Sequence, residues 1–153
     1  MIENLNLNQG NDSSTKYCSL IGYGTFITRG FWKDKSRVQV CKVKNYRRIY
    51  PEGYWFPFVL PADDSFWALK FDVNQNQLDK FDRYEGVPSG LFQREVTQIE
   101  LKDSSLIQAY IYVPTLDLIK SENLSLELDT CDRWKEEIKK IPEIIDKFPE
   151  LVY

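Results

Sequence analysis

The sequence predicts an α+β domain whose few twisted strands can close into a barrel. Three observations carry this prediction. Short apolar or alternating runs of strand character lie both before and after one capped amphipathic helix. Glycines and prolines mark the breaks between them. Beyond Pro114 the pattern turns helical. Neither an internal repeat nor a linker divides the chain, and its 153 residues suit a single domain.

The elements follow in order. Residues 1–16 are polar and rich in Asn and Ser, without an apolar stretch of signal-peptide type, and are expected to be a disordered tail. Organised pattern runs over 17–153, with a helical extension from about residue 115. Cys18 to Tyr23 is a short apolar run ending at Gly24-Thr25, which predicts a buried strand and a tight loop. Val38 to Tyr46 mixes β-branched and polar residues and predicts a second strand. Tyr50 to Pro61 is dense in proline and aromatics. It predicts loops and at best an edge strand, its aromatics serving the core before any ligand. Ser65 to Phe71 predicts another strand. Asn74 then caps a helix with Leu78, Phe81 and Tyr84 or Glu85 on one face, stopped by Gly86 and Pro88. Phe92 to Leu101 and Leu106 to Val113 predict a hairpin through residues 102–105. At the C-terminus Trp134, Ile138, Ile141, Ile145 and Phe148 share a helical face that Pro142 must kink or break.

Composition excludes several function classes. The formal charge is −3, from 20 basic and 23 acidic side chains, which argues against a nucleic-acid partner. The basic run Lys42 to Arg48 reads as the solvated face of a strand, or as a patch attracting a small anion. With no histidine in the chain, Ser-His-Asp triads, Cys-His pairs and His-ligated metals are out of reach, and no metal or other cofactor is expected. Cys18, Cys41 and Cys131 are scattered, which fits unreactive thiols in a reducing, cytoplasmic setting. No apolar run reaches membrane-spanning length, so no membrane partner is expected.

Two features carry chemistry. Gly22-Tyr23-Gly24-Thr25 at a strand end lets the backbone turn sharply and bring successive N–H groups to an anion or a developing negative charge. By itself such a loop is most simply a turn. Glu85 stands at a helix C-terminus, where the macrodipole disfavours a carboxylate by about 0.3–1 kcal/mol. An acid so placed is either a solvated surface residue, the simpler reading, or one tuned for proton transfer.

Together the two features resemble a known pair. Ile21-Gly22-Tyr23-Gly24-Thr25-Phe26-Ile27-Thr28-Arg29-Gly30 is similar to the Tyr-Gly-Ser/Thr-Leu opening, followed by Arg-Gly, of the γ-glutamylcyclotransferase-like (AIG2-like) family. Leu78-Asp79-Lys80-Phe81-Asp82-Arg83-Tyr84-Glu85-Gly86-Val87 resembles its Leu-Asp-x-Tyr-Glu-Gly-Val segment. Ser89 to Arg94 resembles the stretch leading into Tyr-x-Arg, and Ala109-Tyr110-Ile111-Tyr112-Val113 resembles Ala-Trp-Val-Tyr-Val. The resemblance implies a small mixed β-barrel with flanking helices. It also implies release of 5-oxoproline from a γ-glutamyl amino acid, peptide or amine, a small-molecule substrate. By the same resemblance Glu85 is the acid/base, and Tyr23, Gly24, Thr25 and Phe26 bind the γ-glutamyl group, largely through the backbone. Phe26, Phe92 and Tyr110 stand where the family commonly has Leu, Tyr and Trp, which leaves the fold intact and the leaving group open. Two other readings stand beside the enzyme: a ligand-binding module on the same fold, and an interaction protein using the aromatic Tyr50 to Phe58 stretch. Neither the oligomeric state nor the role of residues 115–153 is readable from the residues.

Overall fold

The structure is a computed structural model, and it describes residues 16–153. The expected tail lies, but for Lys16, outside the described residues. Five strands form a closed barrel in the order β1-β3-β2-β4-β5: β1 Cys18–Gly22, β2 Ser36–Ile49, β3 Phe58–Val73, β4 Phe92–Leu101 and β5 Leu106–Pro114. Neighbours pair antiparallel except at the closing seam, where Leu20 of β1 lies parallel to Tyr110 of β5. The barrel is therefore mixed and small, as the motifs implied.

Alternation along the strands sends side chains to two cores. One fills the barrel lumen and includes Ile21, Val43, Phe66, Ile99 and Ile111. A barrel of so few strands is packed with its own side chains and leaves no room for a ligand. The other core lies outside the barrel, where Leu69, Phe71 and Val73 pack under the helices. Here α2 Gln75–Tyr84 contributes Leu78 and Phe81. Residues Trp134 and Ile138 of α4 Trp134–Lys139 join it, with Ile144 of α5 Pro142–Lys147, Phe148 and Leu151. A short α3, Leu116–Ser121, is capped by the Thr115 side chain.

Several elements differ from the sequence reading. The loop after β1 is one helical turn, α1 Thr25–Thr28, too short to show a period. Strand β3 does not begin at Ser65 but runs from Phe58 straight through Pro61, which pairs with Tyr46. Proline is tolerated there because it borders a register shift: Lys44 pairs with Ser65, so Asn45 faces three residues of β3. The C-terminal helix breaks at Pro142, which starts α5 and re-phases its face, so Ile144 and not Ile145 is buried.

Candidate active site

The site forms where β1 leaves the barrel and meets the C-terminal end of α2. Tyr23 is buried, and its hydroxyl donates to the Tyr112 carbonyl at 2.7 Å, pinning the end of β1 to β5. At the next position a Cβ would lie 2.8 Å from the Pro57 ring, so only glycine lets the 55–57 segment close over the turn. Gly24 then caps α1, whose first turn is closed by the Ile27 N–H donating to the Gly24 carbonyl at 3.0 Å. Among the described residues no acceptor meets the backbone N–H groups of Gly24, Thr25 or Phe26. The Thr25 hydroxyl lies 3.1 Å from that of Tyr84, and Phe26 packs on Phe81 with ring centroids 4.7 Å apart. These two contacts dock the turn on α2.

Helix α2 is set at both ends by its sequence. Asn74 and Gln77 form a reciprocal capping box at the start. At the end Gly86 adopts φ +72°, the Val87 N–H donates to the Asp82 carbonyl and the Gly86 N–H to that of Arg83. This is a Schellman closure, and it holds Glu85 at the C-cap. Glu85 is partly buried, and burial raises its carboxyl from the ordinary 4.5 to about 7. Asp82, one helical turn earlier, adds nothing to this rise. Its carboxylate accepts from the Tyr112 hydroxyl at 2.6 Å and faces Arg94 at 3.5 Å, so its charge is engaged elsewhere.

A cavity of about 410 Å³ opens between these elements. Tyr23, Gly24, Thr25, Phe26 and Glu85, all singled out from sequence, line it together. The Tyr23 phenol is raised well above its ordinary 10, first by burial and then by the nearby Glu85 charge, so it stays a donor. Phe92, on the same wall, stacks on Phe58 at 5.9 Å and keeps that wall apolar.

Three features escaped the sequence reading. Trp55, Phe56 and Pro57 line the cavity as well, although their segment was read as core first. Tyr112, whose backbone and hydroxyl tie Tyr23 to Asp82, was read as a strand and motif residue with no part in the site. Arg48, read within a solvated basic run, is fully buried. Its guanidinium grips Asp132 at 2.8 and 2.9 Å and donates to the Tyr23 carbonyl at 2.8 Å. Lys44 and Arg47 of the same run do stay at the surface, in ion pairs with Glu100 and Asp64.

Comparison with known proteins agrees with the fold. The family model described as "Gamma-glutamyl cyclotransferase, AIG2-like" matches residues 20–136, most of the chain and all of the cavity-lining residues named above. The chain belongs to that family. Solved structures share the fold of this γ-glutamyl cyclotransferase-like chain. A γ-glutamyl cyclotransferase superposes with a TM-score of 0.56 at 16% identity, over 86% of this chain and 98% of its own. A protein of Arabidopsis thaliana known from a solution structure gives 0.65 at 15% identity, over 90% and 85%. The yeast γ-glutamyl cyclotransferase specific to glutathione gives 0.54 at 9% identity, over 87% and 88%. Identities this low speak to fold alone. No curated protein sequence matches. Among the described residues no helix is long and apolar enough to cross a membrane, and no group of acids and cysteines could hold a metal ion.

Proposed function

We propose that this chain releases 5-oxoproline from a small γ-glutamyl compound, with Glu85 as the acid/base. The observation that carries the proposal is the placement of one carboxyl group, raised by burial to about 7, on a cavity shared with the Gly24 turn, whose N–H groups meet no acceptor among the described residues. The γ-glutamyl group rests on the turn of Gly24, Thr25 and Phe26 over the Tyr23 phenol, where backbone donors meet its oxygens. Its own α-amine nitrogen attacks the γ-carbonyl carbon. That N–C bond closes a five-membered lactam, and the bond from the same carbon to the leaving nitrogen breaks. The Glu85 carboxylate takes the proton released by the attacking amine and returns it to the leaving amine, so the enzyme ends as it began. The nucleophile is part of the substrate, and holding the substrate bent supplies several kcal/mol of the barrier lowering. This division of labour explains how a chain without histidine can do the chemistry.

The raised carboxyl suits both half-steps, because a group near neutrality accepts and donates a proton at pH 7 with little penalty. The test is a panel of γ-glutamyl amino acids, peptides and amines incubated with the full chain, with 5-oxoproline measured in each. Release from at least one member is expected. Binding of several members with release from none would replace the enzyme by a ligand-binding module on the same fold.

A further inference from the structure

The cavity is larger than the γ-glutamyl group needs, and its unused walls define what leaves. If the glutamyl group occupies the Gly24–Phe26 turn and its scissile amide meets Glu85, the leaving amine must extend along the remaining lining, which includes Trp55, Phe56, Pro57, Tyr84 and Leu91. This part is apolar and largely aromatic. Trp55 is 58% exposed, a large ring held open at the cavity mouth where burial would otherwise be favoured. It is not loose: Phe56 packs edge-on at 4.8 Å, and the Arg29 guanidinium lies 4.7 Å over the ring. Arg29 is not itself on the cavity lining and reaches it only by stacking on Trp55; among the described residues it forms no ion pair with a carboxylate, and neither does the cavity-lining Arg83. Among the described residues Glu85 is the only acidic one on the cavity wall. Here an aromatic platform meets two guanidinium groups that have no carboxylate partner among the described residues.

We propose that the leaving amine is an α-amino acid with a large apolar side chain, aromatic above all, whose side chain packs on Trp55 and whose carboxylate pairs with Arg29. This inference rests on the reading of Glu85 and the turn given above. It disfavours a cationic leaving group such as a diamine, which would meet Arg29 and Arg83 without a partner carboxylate. A guanidinium already stacked on an aromatic ring is pre-oriented to take a carboxylate from a ligand lying on that same ring.

Binding is the direct readout, taken by calorimetry on the full chain carrying Glu85→Gln so that ligands are not consumed. γ-Glutamyl-phenylalanine, γ-glutamyl-alanine and γ-glutamyl-phenethylamine separate the ring from the carboxylate. Phenylalanine should be preferred over alanine by about 10-fold in Kd and over phenethylamine by about 5-fold. Trp55→Ala should abolish the first preference and keep the second, and Arg29→Gln should do the reverse. Equal affinities for the three ligands, or an Arg29→Gln variant that keeps its carboxylate preference, would overturn the inference. Measuring 5-oxoproline release by the wild-type chain separates the two levels. The predicted binding pattern without release leaves the Trp55–Arg29 subsite standing as a binding site and removes the acid/base reading, and with it the name of leaving group. Release at equal rates from all three, with equal affinities, does the opposite. Failure of all three to bind overturns both.

Discussion

Glu85 draws its character from where α2 stops. The capping box sets where the helix starts, Gly86 closes its end, and the residue between helix and glycine is held against the cavity wall. Burial shifts its carboxyl from 4.5 to about 7. Between those values the folded protein keeps a proton that the unfolded chain has released. Stability therefore falls as pH rises from about 4.5 to about 7 and stays lowered above it. Glu85→Gln is neutral throughout and escapes this loss. Relative to wild type, the variant should gain on the order of 2 kcal/mol between about pH 4 and about pH 8, a figure reduced for partial exposure. Urea unfolding at the two pH values measures the change, and a difference that does not vary with pH would contradict a buried, titrating carboxyl. Position 85 was legible in sequence through the family resemblance of its segment, since a carboxylate at a helix C-terminus next to glycine is by itself read more simply as a solvated surface acid. The size of the shift was not, since it depends on walls supplied by residues 23–26 and 55–57.

At the scale of elements, the segment beyond β5 is tied to the turn through one buried ion pair. Arg48 of β2 holds the Tyr23 carbonyl, and Asp132, in the loop before α4, neutralises Arg48. Removing the carboxylate leaves a guanidinium with no exposed surface and no counter-charge, a change that costs about 3–5 kcal/mol. Asp132→Asn should therefore lower stability by roughly that amount, measured by denaturant melts. A loss below about 1 kcal/mol would mean that the pair behaves as a surface bridge. None of this was readable from the basic run, because the partners of Arg48 lie 25 and 84 residues away. Helix α2 was readable from end to end, since Asn74, Leu78, Phe81 and Gly86 all act within one local segment. The β4–β5 hairpin was readable for the same reason, by alternation across a short turn. The passage of β3 through Pro61 was hidden because a proline inside a strand is tolerated only where the ladder is already irregular.

For the molecule as a whole, the barrel decides where chemistry can occur. Five strands enclose a lumen filled by Phe66, Ile99, Ile111 and their neighbours, so a ligand must bind outside it. The cavity lies where β1 runs out into α1, against the end of α2, with the aromatic 55–57 segment as its outer wall. Four short motifs pointed to this architecture from the sequence through their resemblance to the γ-glutamylcyclotransferase-like family. The leaving group stayed illegible there, since its walls come from a proline-rich stretch that carries no period. The cysteines fit a framework without thiol chemistry: Cys41 is buried with its thiol pushed up by desolvation, and Cys18 is raised in the same way. The central claim is that Glu85 moves the proton in 5-oxoproline release. It is tested most directly by measuring turnover of one accepted γ-glutamyl substrate by wild type, Glu85→Gln and the control Asp79→Asn, whose carboxylate contacts only Gln75 among the described residues. The account predicts a fall of roughly 10²–10⁴-fold in kcat for Glu85→Gln with substrate still bound, a wild-type rate that rises with pH toward about 7, and little change for Asp79→Asn. Near wild-type turnover by Glu85→Gln would contradict it.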